Sequence, residues 1–326
     1  MLDKTDRSIR LLKMFDILQR GSGLKPSTLQ GEFGITRKSV QRDINELRTY
    51  INDEYAQGIF GNIEYNPTRK EYVWRDRSDM FLSEHEILLL AVILLESRGL
   101  AKDELQSVIN KIMIQCAPAA RKLIEQLIRN ELFYYEDITN AKPMGELIWQ
   151  LMMAKLNQQY IMVTYKKARG NKYEPLKLMP CGIMFSEMYF YLIAKLADST
   201  NDDVITFRID RIGKCETLDE NFRIEREQRF QEGIFRREIQ FMNTGKLIEV
   251  KFRFWGKSLE AVLDRLSNAE VIMQDELGAV IKAKVYDKGT KMWFLSQAEF
   301  LEVLEPASFR AEMKESIRKM LDNYTD

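Results

Sequence analysis

The chain has 326 residues, 45% of them apolar and 30% charged, which describes a packed, water-soluble protein of two to three domains rather than a disordered one. Its 49 Lys and Arg balance 49 Asp and Glu, so any local excess of one sign stands out. One histidine and three widely spaced cysteines (Cys116, Cys181, Cys215) argue against a disulfide framework, structural zinc, histidine triads and most transition-metal sites.

No apolar run is long enough to cross a membrane; Phe81 to Leu95 comes nearest and contains Glu84, His85 and Glu86. Residues Met1 to Asp6 lack the apolar core of a signal peptide, so a cytoplasmic location is expected. G-x-S-x-G, Walker and G-x-G-x-x-G patterns are absent. A non-enzymatic protein without cofactor or metal is the expectation.

Asp6 to Gln19 reads as a helix with Ile9, Leu12, Phe15 and Leu18 at i, i+3 spacing and Gly21 as its stop. Ser27 to Phe33 is a second short helix, closed by Gly34. Thr36 then opens a third, in which Val40, Ile44 and Leu47 form one apolar stripe. Lys38, Gln41, Arg42 and Asn45 fall on its other side, with donors suited to phosphates and base edges.

Asn62 to Tyr65 and Glu71 to Trp74 form a hairpin whose turn, Asn66 to Lys70, carries Arg69 and Lys70 at its tip. Residues 1–50 hold ten Lys/Arg against six Asp/Glu, a local balance of +4. Three helices and a basic hairpin are the layout of a winged helix-turn-helix. The expected DNA-contacting residues are Thr36, Arg37, Lys38, Ser39, Gln41, Arg42, Asn45, Arg69 and Lys70.

A charged connector, Arg75 to Asp79, precedes three helices between Ser83 and Phe133. They carry Ile87, Leu88, Ala91, Leu94 and Leu95, then Leu105, Val108, Ile109 and Ile112, then Leu123, Leu127 and Ile128. Ser83 and Glu86 form a capping box, and His85 is a first-turn residue. Such a block is most often a spacer or a dimerisation bundle. Pro143 begins a further helix with Leu147, Ile148, Leu151 and Met152 on one face.

From Tyr160 the period changes to two. Ile161 to Tyr165, Leu176 to Met179, Tyr189 to Ala194 and Val204 to Arg208 read as strands. Gly170-Asn171, Pro180-Cys181-Gly182 and Asp198 to Asp203 supply turns, and a small barrel-like sheet is expected. Phe230 to Thr244 reads as a charged connector. Then follow strand Leu247–Phe254, helix Ser258–Ser267, strands Ala269–Met273 and Ala279–Tyr286, helix Thr290–Ser296, strand Leu301–Leu304 and helix Phe309–Asn323, a ferredoxin-like split pattern.

The strand segment carries its own chemistry. Arg208 and Arg211 lie three apart, Lys166, Lys167, Arg169 and Lys172 crowd the first turn, and Tyr165, Tyr189 and Tyr191 add aromatic hydroxyls. Guanidinium forks with aromatic faces suit phosphate, carboxylate or an unstacked nucleotide. The plainer alternative is that Arg208 pairs with Asp210 or Glu174 while the tyrosines pack the barrel.

These residues carry a resemblance. Phe190-Tyr191-Leu192 followed by Phe207-Arg208-Ile209-Asp210-Arg211-Ile212 is similar to the bacterial WYL-domain transcriptional regulators, with Phe190 in place of the naming tryptophan. Tyr165 and Pro180 meet the family's tyrosine ending the first strand and proline after the second. Arg42-Asp43-Ile44 with Leu47 resembles the R-D-I-x-x-L of its DNA readers. Glu302 to Pro306, after Met292-Trp293-Phe294-Leu295, resembles its C-terminal extension.

The resemblance implies an α+β multidomain chain in five parts: a winged helix-turn-helix (1–78), a helical linker or dimerisation region (79–142), an Sm- or SH3-like WYL barrel (143–222), a linker (223–245) and a ferredoxin-like C-terminal extension (246–326). It implies Tyr165, Tyr191, Arg208 and Arg211 as a pocket for a nucleotide, single-stranded nucleic acid or other small anionic effector. The expected function is a homodimeric, ligand-responsive regulator of a double-stranded DNA operator. The alternative is a nucleic-acid-processing enzyme or adaptor, for which Asp198, Asp202 and Asp203 form the one acidic cluster beside the arginine strand.

Overall fold

The computed structural model describes residues 6–54, 62–75, 82–167, 172–199, 203–224 and 230–324. Most of the connector expected at 75–79, together with Arg169, Gly170, Asn171 and Asp202, lies outside the described residues. The chain divides into two compact units, Met1–Asp137 and Ile138–Asp326.

In the first unit, α1 (Arg7–Gln19) is capped by the Asp6 carboxylate, which accepts the Ser8 N–H at 2.9 Å. After α2 (Pro26–Phe33), Gly34 adopts φ 62°, a left-handed stop that costs glycine nothing. Thr36 Oγ1 then accepts the Ser39 N–H at 3.2 Å and opens α3 (Arg37–Glu54). Val40, Ile44 and Leu47 are buried, as their spacing predicts, and Met14, Leu18, Leu24, Leu29, Phe33, Ile51, Ile63 and Trp74 complete that core.

The α1 stripe departs from expectation. Ile9 and Leu12 are 50% and 69% exposed, while Arg10 and Met14 are buried. The helix is turned so that Arg10 meets the buried carboxylate of Asp43 on α3, with Nε–H to Oδ2 at 2.7 Å. Strands β1 (Ile63–Asn66) and β2 (Glu71–Trp74) form the expected hairpin. Tyr72 also exchanges both backbone hydrogen bonds with Leu24, at 2.8 and 2.9 Å, which ties the hairpin to the turn before α2.

Three helices follow, α4 (Glu84–Ser97), α5 (Lys102–Met113) and α6 (Pro118–Phe133), with the Ser83–Glu86 capping box formed. Ile87, Ala91, Leu95, Leu105, Ile109 and Met113 share a core with Ile124 and Ile128. Leu123 and Leu127, expected inside, are exposed, because the buried stripe of α6 runs one residue further on.

In the second unit, α7 (Gly145–Leu156) buries Leu151 and Ala154 against an antiparallel sheet. Met152, expected on that face, is exposed. The sheet consists of β3 (Gln159–Lys166), β4 (Tyr173–Ser186), β5 (Tyr189–Leu196), β6 (Ile205–Arg208) and β7 (Ile212–Asn221), in the order β6-β5-β4-β3-β7. Pro180-Cys181-Gly182 is not a turn. It is a bulge inside β4, where the register to β5 shifts, and proline is tolerated because the ladder is already broken there. The first half of β4 pairs with β3 and the second with β5, so one bent strand serves two neighbours in succession.

Residues 230–244, expected as a charged connector, hold α8 (Glu232–Glu238). Phe235, Ile239 and Met242 are buried with Cys181, Met184 and Ile193 of the sheet. Beyond it, β8 (Leu247–Phe254), α9 (Leu259–Arg265), β9 (Glu270–Asp275), β10 (Gly278–Tyr286), α10 (Asp287–Ser296), β11 (Leu301–Glu305) and α11 (Ala307–Asp322) follow the expected alternation. The four strands are all antiparallel in the order β11-β8-β10-β9. Phe252, Phe294, Trp293 and Phe309 fill the space beneath them.

Candidate functional site

Two groups of predicted residues are gathered by the fold, one in each unit. On α3, Arg37, Lys38 and Arg42 are exposed and make no hydrogen bond or ion pair among the described residues. The flank of that helix toward α1 is fixed: Arg10 and Arg7 hold Asp43 from α1, and Arg7 also pairs with the exposed Glu46. Thr36 and Ser39 are spent on each other, their hydroxyls 3.1 Å apart at the helix start.

Gln41 and Asn45 are joined to the hairpin. The Tyr72 hydroxyl donates to Gln41 Oε1 at 2.6 Å, and Gln41 Nε2 donates to Asn45 Oδ1 at 3.3 Å. Arg48, half-buried, donates to Asn45 Oδ1 at 3.1 Å and to the Ile63 carbonyl at 2.8 and 3.1 Å. At the hairpin tip, Arg69 and Lys70 are exposed, with Arg69 3.8 Å from Glu71. Sequence reasoning missed Arg48 and Tyr72, since neither anchor can be seen before the hairpin is laid against the helix.

The second group surrounds the end of β6. Tyr191 of β5 is the direct cross-strand partner of Arg208. The guanidinium of Arg208 forks onto Asp210, with Nε to Oδ1 at 3.0 Å and Nη2 to Oδ2 at 2.6 Å, and its carbon lies 3.4 Å from the Tyr189 ring centroid. Tyr165 accepts the Arg208 backbone N–H at 3.1 Å and packs edge-on to Phe207. Burial pushes the Tyr165 phenol above its usual range, while the Arg208 N–H and the Arg211 side chain pull it back. Burial likewise raises the Tyr191 phenol.

All four predicted residues therefore meet, with Arg211 reaching them through Tyr165. The plainer alternative is also realised in part, because Arg208 is paired with Asp210, whereas Glu174 instead pairs with Lys167 at 2.5 Å. Three further residues take part outside the predicted four: Tyr189 and Asp210, both noted beside Arg208 in the sequence, and Lys142, which was not. Lys142 donates to the Ile212 carbonyl, and burial lowers its amine while nearby Asp210 opposes that shift. The Arg-x-Asp spacing across the short turn Ile209–Arg211 was the available signal for Asp210. The acidic cluster proposed for an enzyme has Asp202 outside the described residues, and no group of three metal-ligating side chains occurs among those described.

Residues 146–217 match the family model described as the WYL domain, and that part of the chain is a WYL domain. The span runs from α7 through β7 and takes in Tyr165, Tyr191, Arg208 and Arg211. Among solved structures, the chain is similar to Proteasome accessory factor B/C (PafBC) of Arthrobacter aurescens, at 17% identity and a TM-score of 0.30, over 98% of this chain and 49% of that one. It is also similar to a structure titled a CRISPR Cas-related protein, at 15% identity and a TM-score of 0.35, over 89% and 74% of the two chains. The chain thus spans about half the length of the first. No curated protein matches it.

Proposed function

We propose that this protein is a WYL-domain transcription regulator that binds duplex DNA through residues 1–78, read as a winged helix-turn-helix. The observation that carries this reading is α3, whose Arg37, Lys38 and Arg42 are exposed without partners among the described residues while its inner face is fixed by core and ion pairs. Free cations on one face of a rigid helix, beside a basic hairpin tip, suit phosphate neutralisation along a groove. The five-stranded sheet with its bent β4 supports the Sm- or SH3-like barrel reading, and the β11-β8-β10-β9 order supports a ferredoxin-like C-terminal part.

In this reading the cluster at Arg208 senses a small anionic effector or single-stranded nucleic acid, and two copies bind one operator, since one short reader makes few base contacts. An effector anion would compete with Asp210 for the Arg208 fork, which gives the site two states for a ligand to choose between. Electrophoretic mobility shifts with fragments of the source genome, over a salt series, test the DNA reading. Specific retardation that weakens steeply with salt is expected. Undiminished specific binding by Arg42→Ala would overturn the assignment of α3.

A further inference from the structure

We infer that Tyr72 and Arg48 are positioning residues that set Gln41 to read an adenine, an inference that rests on the DNA-binding role proposed for α3. Arg48 is the fixed end of this chain of side chains. Its guanidinium is a donor only, and it is anchored by two hydrogen bonds to the Ile63 carbonyl of β1. The Asn45 atom it reaches at 3.1 Å must therefore be the oxygen. An Asn45 oxygen can be met at 3.3 Å by the Gln41 amide only through its nitrogen. That leaves Gln41 Oε1 facing the Tyr72 hydroxyl at 2.6 Å, so the hydroxyl donates. Each amide orientation is dictated by its neighbour, beginning at a group that cannot be reversed.

What remains open on Gln41 is then defined. Oε1 has two lone pairs, one of them taken by Tyr72; Nε2 has two N–H groups, one of them given to Asn45. One acceptor and one donor are left on an exposed amide. In the major groove, adenine offers one donor (N6–H) and one acceptor (N7), the complement of that pair, whereas guanine offers two acceptors. Tyr72 is itself held by its backbone exchange with Leu24, so Gln41 is fixed from both strands of the hairpin, directly by Tyr72 of β2 and through Asn45 and Arg48 by Ile63 of β1. A glutamine free to rotate would pay rotamer entropy on binding and could present either amide atom.

The test is selection of bound sequences from a duplex library with a randomised core, using the full-length protein and its Tyr72→Phe, Gln41→Ala and Gln41→Glu variants. The wild type is expected to require adenine at one position of each bound site. Tyr72→Phe should lower that preference about tenfold, within the range of one bidentate base contact, while keeping its unfolding midpoint, its affinity for random duplex and its salt slope. A purely structural role would move the unfolding midpoint instead. Gln41→Glu, which needs no change in the core, should shift the same position towards cytosine, whose exposed group is a donor. Unchanged base preference in Gln41→Glu, or in a folded Tyr72→Phe, overturns the inference while leaving the DNA-binding reading intact. Failure of the wild type to retain any duplex overturns that reading, and this inference with it.

Discussion

Asp43 on α3 is completely buried and accepts the Nε–H of Arg10 on α1 at 2.7 Å, so a charge pair stands where the first helix meets the third. Arg7, itself exposed, approaches the same carboxylate at 3.4 Å. This pair gives the aspartate of Arg42-Asp43-Ile44 a job in the core, next to an arginine that faces water.

Asp43→Ala should therefore destabilise the first unit, because it removes the buried carboxylate that receives the Arg10 Nε–H from across the core. Breaking one side of a buried pair costs about 3–5 kcal/mol. Urea unfolding followed by the fluorescence of Trp74, which shares that core, checks it. A loss below about 1 kcal/mol would show that the pair behaves like an exposed one.

Arg42→Ala should behave in the opposite way. The side chain is exposed and makes no contact in the core, so its removal should shift stability by no more than about 0.5 kcal/mol. Duplex affinity should fall, and the slope of log K against log salt should drop by roughly one if Arg42 meets a phosphate. Lys38→Ala should give the same pattern, and fluorescence anisotropy over a salt series measures both.

In the second unit, Arg208→Ala leaves the almost fully buried carboxylate of Asp210 without its fork. A loss of about 3 kcal/mol is expected. Removing both partners in Arg208→Ala/Asp210→Ala should restore much of it, since two missing charges cost less than one left behind. A double-mutant cycle by chemical denaturation reads the coupling, and additive losses would show that the two groups are independent.

Burial pushes the Cys215 thiol up to about 11 from its ordinary 9.0. The folded state therefore keeps the proton longer than the unfolded chain does. The contribution is fully present below pH 9 and is lost as pH rises from 9 towards 11. Cys215→Ser should flatten the decline in stability across that window. The same shift predicts slow alkylation of Cys215 in the folded protein at pH 8, with rapid labelling once urea is added; peptide mass spectrometry distinguishes the two.

The elements most legible in the sequence were those whose own periodicity decides burial. The α3 stripe and the alternation in β8 and β10 need no partner to be recognised. The α1 face was misplaced because the apolar i, i+3 row at Ile9 and Leu12 was outweighed by one arginine whose partner lies on another helix. The polar strand β7, Ile212–Asn221, shows almost no alternation and exists because β3 pairs with it. Likewise, Arg208 and Tyr191 could be selected from residue type and Asp210 from its spacing to Arg208, but Lys142 only from where the segment before α7 brings it.

The helix α8 reaches further than its seven residues suggest. Phe235 and Ile239 close one side of Ile193 and Met184, and Tyr191 packs against the same group. The Thr206 hydroxyl donates to the Met242 carbonyl at 2.6 Å, so β6 leans on this segment as well. A fragment cut at Asn221 would lay bare the back of the two strands that carry Tyr191 and Arg208. Dissection of this protein should therefore keep the WYL domain together with residues up to at least Met242, or the excised piece will expose apolar surface and lose the geometry it was made to study.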